Sequence, residues 1–459
     1  MNLGTVIQAY MRAHGIDTHS QMAKILGIDR TLVSKYVSGA RRCHDVPQLR
    51  RLAEAMDLPP ETFGLLPEPV RLDGATGAET DEVSEWRLIR QTLNRHRSEL
   101  TSVAAGLYWD SVRVEGTSCI SRPDWLPEVP LPLDAIDLAW EPDVPQPILN
   151  GGEPESALYR PVSPAGARYS RYSQAIRAIA APALFENRGS YRLLSLDLAA
   201  PSAHMAFGYT TYFDMVDVCE VLAHETAGAW LRRTGVDGQL SMGELPFRAH
   251  VGDLFDLARR PVLPSINTLT IRRAREGDSF FLHRRGTSKV TIAAGQSHVV
   301  PAGVFQPSGI APWNMAGDFD PWRNILREYS EELLGAPEHD GSSGAPIDYD
   351  GSEPFRALNH GRREGKVRPW FLGMGFDPLA PAGEILTTVV IDADVFDSAF
   401  AGMVATNAEG DMFPSDRGSV GIAWNAPNIH KSLKEEPLAC AAAACIALTW
   451  KHRRQVLAD

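Results

Sequence analysis

The chain has 459 residues, 44% of them hydrophobic and 22% charged, with a formal net charge of −12. That length exceeds one ordinary domain, and the balance is that of a folded protein with sizeable cores, which excludes a disordered or fibrous chain. No run of about 18 apolar residues occurs and the amino terminus carries no basic-apolar-small leader, so the expectation is a cytoplasmic protein with no membrane association.

At the amino terminus, Val6, Ile7, Tyr10 and Met11 recur at helical spacing and predict a helix from about Gly4 to His14. A tighter pattern follows. Gly27 supplies the unhindered backbone of a turn, and Asp29 two residues later can cap a helix from Arg30 to about Ser38. Ala23 lets the helices on either side of that turn cross closely, while Met22, Leu26, Val33, Tyr36 and Val37 fill the space between them. Leu49, Leu52, Ala53 and Met56 mark a further helix, with a final short turn at Pro60 to Phe63. Arg30, Thr31, Ser34 and Lys35 are left facing outward. Arginine offers a bidentate fork to guanine, hydroxyls adapt to bases or phosphates, and lysine suits a phosphate or a guanine edge. His19, Arg41 and Arg42 flank this face as candidate phosphate contacts.

With the small residue Ala23, the turn residue Gly27 and the buried apolar positions in register, residues 1–66 resemble the helix-turn-helix domain of the phage-repressor (XRE/Cro) class. The resemblance implies a transcription regulator that binds a double-stranded DNA operator, usually as a homodimer on half-sites about one helical turn apart. The class usually has glutamine where His19 stands, and Gln21 is the substitute candidate. Charge agrees with a division of labour: residues 1–66 hold 8 Lys+Arg and 6 Asp+Glu, net +2, leaving −14 for the remainder. Only the front end would tolerate a phosphate backbone.

Residues 67–84, acidic and poor in large apolar side chains, read as a flexible linker. A middle α/β domain is expected over 85–259. It opens on a helix with Trp86, Ile89, Leu93, Leu100 and Ala104 on one face and Arg87, Arg90, Arg95, His96 and Arg97 on the other. Seven prolines between Pro123 and Pro147 describe an extended connection. Strands are predicted at Tyr191–Leu198 and Met205–Thr211, then a long helix through Met215, Leu222 and Trp230. Within that helix His224-Glu225 lacks the second histidine of a zinc-protease motif, since Gly228 stands in its place, and His224 reads as a helix residue at the core edge. The five cysteines are scattered and without metal-ligand spacing, as expected of buried thiols.

Beyond residue 260, strand patterns at Thr268–Ile271, Phe280–Leu282, Lys289–Ile292 and His298–Val300 lead into Pro301-Ala302-Gly303-Val304-Phe305-Gln306-Pro307, a sharp exit whose backbone can approach a ligand. Asp320 caps a helix, Pro321 takes its first turn and Gly335 ends it, with Trp322, Ile325, Leu326, Tyr329 and Leu333 as the buried stripe. Glu328, Glu331 and Glu332 gather on the other side, where magnesium bound through carboxylates and a substrate phosphate would offset their repulsion. Arg327-Glu328-Tyr329-Ser330-Glu331-Glu332 resembles the REUXEE part of the Nudix motif GX5EX7REUXEEXGU. The resemblance covers about residues 260–400, with strands at Val367–Gly375 and Glu384–Asp392 completing an α/β/α sandwich. It implies Mg2+ at Glu328, Glu331 and Glu332, and a phosphorylated or nucleotide-like ligand near Gly303, Gln306 and Arg327.

The box is degenerate: Gly335 falls one residue late, Gly309 stands where the upstream glutamate belongs, and the gap to Arg327 is ten residues too long. Turnover needs metal set against both diphosphate and water, so ligand sensing is expected, with no catalytic residue assigned. Loops at Gly309–Phe319 and Asp340–Gly344 would form the pocket mouth, and residues 401–459 a helical extension packed on the body. The fold class is therefore multidomain, an all-α helix-turn-helix bundle followed by α/β regions including the Nudix-like sandwich. An active Mg-dependent Nudix hydrolase carrying a DNA-binding head and a protein-interaction scaffold stand as alternatives.

Overall fold

A computed structural model describes residues 3–41, 43, 46–56, 58, 81–141, 143–182, 185–199, 202–233, 239–285, 296–309, 311–337, 345–403, 410–412 and 421–457. The chain divides into two compact units: residues 1–71, 306–319 and 338–348 form the first, and 72–305, 320–337 and 349–459 the second. An amino-terminal helix-rich region is followed by mixed α/β sheets.

The first unit carries α1 (Leu3–Ala13), α2 (His19–Leu26), α3 (Arg30–Val37) and α4 (Val46–Ala55). Local chemistry sets their ends. Thr18 opens α2 with a reciprocal cap, its Oγ1 accepting the Gln21 N–H at 3.2 Å while Gln21 Oε1 accepts the Thr18 N–H at 3.2 Å. Gly27, at φ +63°, closes α2 in the left-handed region. Asp29 then caps α3 by accepting the Thr31 N–H at 2.7 Å. Ile7, Met22, Leu26, Val33, Tyr36, Leu49, Leu52, Ala53 and Met56 form one buried cluster, as their spacing predicts. A Cβ on Gly4 would lie 2.1 Å from the Tyr36 carbonyl oxygen, so α1 meets α3 backbone to backbone. The expected turn at Pro60–Phe63 lies outside the described residues. So do residues 67–80 of the expected linker, Lys289–Ile292 and the loop Asp340–Gly344. Within the expected loop Gly309–Phe319, Pro312–Gly317 is helical.

The second unit opens on α5 (Asp81–Arg95), which takes in the last four residues of the expected linker. Asp81 and Glu82 lie in its first turn, where acidic groups complement the helix dipole. The single helix expected over this region is two, because the chain breaks at His96 before α6 (Arg97–Ala105). The remaining labelled helices are α7 (Tyr172–Ala180), α8 (Tyr212–Arg232), α9 (Pro321–Glu328), α10 (Ala426–Glu435) and α11 (Cys440–Lys451). The strands are β1 (Leu131–Pro132), β2 (Ile136–Trp140), β3 (Gly189–Asp197), β4 (Ala203–Thr211), β5 (Pro264–Arg273), β6 (Ser279–Phe280), β7 (Leu282–Arg285), β8 (Ser297–Val299), β9 (Ala302–Val304), β10 (Val367–Phe376), β11 (Gly383–Asp392), β12 (Gly410–Met412) and β13 (Ile422–Ala423).

Seven strands form the main sheet in the order β1-β10-β11-β5-β6-β13, with β9 paired to β5. β5 and β11 run parallel, and β10 runs antiparallel to β11. A proline-rich strand, β1, occupies one edge, where a missing N–H is tolerated. Gly373, at φ +138°, sits at a bulge in β10, and a Cβ there would meet the Trp125 carbonyl oxygen at 2.9 Å. That position is a close approach within the strand. Side chains alternate along β5. Leu269 and Ile271 join a cluster with Ala442, Cys445 and Ile446 of α11, while Thr270 Oγ1 lies 2.7 Å from the hydroxyl of Tyr329, just past α9. Helices thus cover both faces, and α11 is a core layer rather than an appendage. A second sheet, β2-β4-β3, lies before α8, and a third is β12-β7-β8.

Candidate nucleic-acid interface and effector sites

On α3, Val33 and Tyr36 turn into the core, which leaves Arg30, Thr31, Ser34 and Lys35 exposed along one side. Hydrogen bonds from the Thr31 side chain and backbone, with Lys35 adding its charge, hold the Asp29 carboxyl below its ordinary range, so the cap stays ionised. Past the helix, Gly39 adopts φ +73° and the Arg41 N–H donates to the Lys35 carbonyl at 3.0 Å, which fixes exposed Arg41 beside the same helix end. Gln21 is exposed, but its side-chain oxygen serves the α2 cap, so only its amide nitrogen remains for a phosphate. His19 is half-buried at the start of α2. Arg42 lies outside the described residues.

In the acidic segment, Asp320 caps α9 by accepting the Trp322 N–H at 2.7 Å, and Trp322, Ile325, Leu326, Tyr329 and Leu333 are buried as expected. The helix does not continue regularly. Residues Tyr329–Leu333 form a π turn, which widens the spiral and alters which side chains share a face. Glu332 is 2% exposed, and its Oε1 accepts the Ala302 N–H of β9 at 3.4 Å. A Cβ on Gly303 would fall 2.1 Å from the Glu328 carboxyl, so glycine is what allows that carboxylate to lie against the strand. Glu331 is half-exposed. Arg327 is buried and donates from Nη2 to Asn324 Oδ1 at 2.7 Å, tied into its own helix. Gln306 belongs to the first unit, whereas Gly303, Arg327 and the glutamates belong to the second. Among the described residues, no group of three or more His, Cys, Asp or Glu side chains is arranged to hold a metal ion. The donor set gathered by the sequence is thus divided, with Glu332 committed to the β9 backbone.

A third place was not anticipated as a site. Arg90 and Arg97, read as lying on the face opposite Trp86, Ile89 and Leu93, are buried, and both pair with Glu220 of α8, at 2.5 and 3.1 Å. Against the cost of burial, Arg97 and Arg90 hold the Glu220 carboxyl below its ordinary range. One turn on, His224 is 2% exposed among three aromatic rings. Trp86 stacks on it at 5.6 Å between centroids, Tyr159 meets it edge-on, and its Nδ1 lies 2.9 Å from the Tyr172 hydroxyl. Burial first, then the charges of Arg90 and Arg232, hold this imidazole well below its ordinary range, so it is neutral. Glu225 accepts from the Tyr159 hydroxyl at 2.7 Å and from the Phe247 and Arg248 N–H groups at 2.7 and 2.9 Å, while burial pushes its carboxyl up. Between α5 and α8 lies a cavity of about 180 Å³ lined by Trp86, Ile89, Leu158, Tyr159, His224 and Arg232, among others. The local signal was the run of polar residues Asp217, Glu220, His224 and Glu225 within an otherwise apolar helix, all of them buried.

Compared with known proteins, the chain matches no family model and no curated protein. No helix among the described residues is long and apolar enough to cross a membrane.

Proposed function

We propose that this protein is a transcription regulator of the XRE/Cro type, in which α3 reads a double-stranded DNA operator and the second unit binds a small effector. The observation that carries this reading is the exposed set Arg30, Thr31, Ser34 and Lys35 on a short helix set up by the Gly27 turn and the Asp29 cap. Such a helix presents base-reading chemistry along a major groove, with Arg41 at its end for a phosphate. The +2 charge of residues 1–66 against −14 elsewhere directs the duplex to that face. One reading head per chain makes a cytoplasmic homodimer on paired half-sites the working form.

For the effector we favour a phosphorylated or nucleotide-like molecule seated where Gly303 lets the Glu328 carboxylate approach β9, in a Nudix-like arrangement of α9 and the main sheet. A magnesium ion there would draw on Glu328 and Glu331 and complete its shell with ligand phosphate oxygens and water. One oxygen of Glu332 accepts the Ala302 N–H at 3.4 Å instead of facing a metal, which supports sensing over hydrolysis. Absence of magnesium-dependent turnover across a panel of nucleoside diphosphate derivatives is the expected result.

The test of the DNA reading is selection of genomic fragments by the full-length protein, followed by Arg30→Ala. The variant should lose about 1–3 kcal/mol of binding to its selected site and relax the preference at one base position. Equal affinity and selectivity in the variant would remove α3 as the reading helix.

A further inference from the structure

The cavity between α5 and α8 has the makings of a second, separate ligand site. Part of its wall is apolar, from Trp86, Ile89 and Leu158, beside the polar Glu82, Glu85, Tyr159, His224 and Arg232, and a Cβ on Gly228 would crowd Ile89 Cδ1 at 3.3 Å. Glu82, at one end, is already matched by Arg168 at 2.5 Å and by the Val162 N–H. Glu85 and Arg232 are exposed cavity-lining residues of opposite charge, and neither makes an ion pair or hydrogen bond among the described residues. Deeper in, the neutral His224 has one polar atom to spare. The Arg90 guanidinium lies over the Tyr172 ring, and the Tyr172 hydroxyl shares a hydrogen bond of 2.9 Å with His224 Nδ1. Nε2 is the other ring nitrogen of this residue, which lines the cavity.

We propose that this cavity binds a free amino acid with an aromatic or branched apolar side chain, its carboxylate on Arg232, its ammonium on Glu85 and its side chain against Trp86 and Ile89. Three features select that class together. The unpaired charges match both ends of a zwitterion, the Trp86, Ile89 and Leu158 part of the wall matches an apolar body, and about 180 Å³ is smaller than the pockets that hold drug-sized ligands. His224 Nε2 adds a polar ring atom that would favour a side chain ending in a hydroxyl, as in tyrosine. The site is distinct from the Gly303–Glu328 region and does not depend on what that region binds.

The test is calorimetric titration of the full-length protein with phenylalanine, tyrosine and leucine, alongside 3-phenylpropionate, which lacks the amine, and phenethylamine, which lacks the carboxylate. At least one amino acid should bind saturably, and each of the two truncated analogues at least about tenfold more weakly than phenylalanine. Arg232→Gln and Glu85→Gln change exposed side chains and leave the fold in place, which circular dichroism will verify. Each should weaken amino-acid binding about tenfold, and Arg232→Gln should also remove the advantage of phenylalanine over phenethylamine. Absence of saturable binding by all three amino acids overturns the proposal. So does 3-phenylpropionate binding as tightly as phenylalanine, or affinity unchanged in both variants.

Discussion

The amino-terminal helices α1–α4 and the α5–α8 pair are held together differently. Among the described residues 3–58 no charged side chain is buried, and cohesion there comes from aliphatic packing around Tyr36 and a backbone-to-backbone approach at Gly4. The α5–α8 pair buries Arg90 and Glu220 bonded to each other, Asp217 and Glu225 bonded to backbone N–H groups, and His224 bonded to the Tyr172 hydroxyl. A core without ions leaves the surface free to vary, because exposed charges contribute little to folding. A core with ions constrains each member, since removal of one leaves its partner buried and uncompensated. The head is therefore suited to changing what it touches, and the pair to preserving a fixed internal geometry.

The sharpest way to break that contrast is Glu220→Gln, which leaves Arg90 and Arg97 buried without a counter-charge. It should cost about 3–5 kcal/mol in the second unit, read by chemical denaturation of the full chain. A loss below that of an ordinary surface change would mean that water reaches the pair. A comparable effect, this time conditional on pH, is expected at Asp217. Burial pushes its carboxyl up to about 7, against the Ser173 N–H that donates to Oδ1 at 2.6 Å and the pull of Arg171. Its pKa is raised in the folded state, so folding is favoured below the unfolded value near 4 and that advantage is lost as pH rises toward 7. Asp217→Asn keeps an oxygen for the Ser173 N–H and should flatten the decline of stability between pH 4 and 7, by about 2–4 kcal/mol across that window. A slope equal to wild type would place the titration elsewhere. In the head, Gly4→Ala pushes a methyl into the Tyr36 carbonyl and should cost about 1–3 kcal/mol, as overpacking does. Hydrogen exchange confined to residues 3–37 would register it, with α5 and α8 unchanged.

The head was largely legible from sequence because every signal there is local. Apolar spacing, the Gly27 turn and the Asp29 cap act within a few residues of one another, and the structure places them as read. Asp320 and Pro321 were legible for the same reason. What failed to read was pairing across distance. Arg90 and Arg97 lie 130 and 123 residues from Glu220, and nothing near them distinguishes a buried pair from a solvated stripe. The π turn at Tyr329–Leu333 was also hidden, and with it the inward turn of Glu332 toward Ala302. A motif read as a regular helix assumes a face that one extra residue per turn removes. His224 was set aside because a metal motif was incomplete, whereas its aromatic surroundings come from α5, α7 and the loop at Tyr159.

The Ala-Cys helix α11 has a consequence for biosynthesis. Its Cys445 thiol donates to the Asn267 carbonyl of β5 at 3.4 Å across 178 residues of sequence. At roughly 5–20 residues per second, translation leaves Leu269 and Ile271 without their helical cover for on the order of ten to thirty seconds. During that interval the nascent chain presents a greasy strand to solvent, and the yield of folded molecules depends on elongation pace and holding chaperones as well as on final stability.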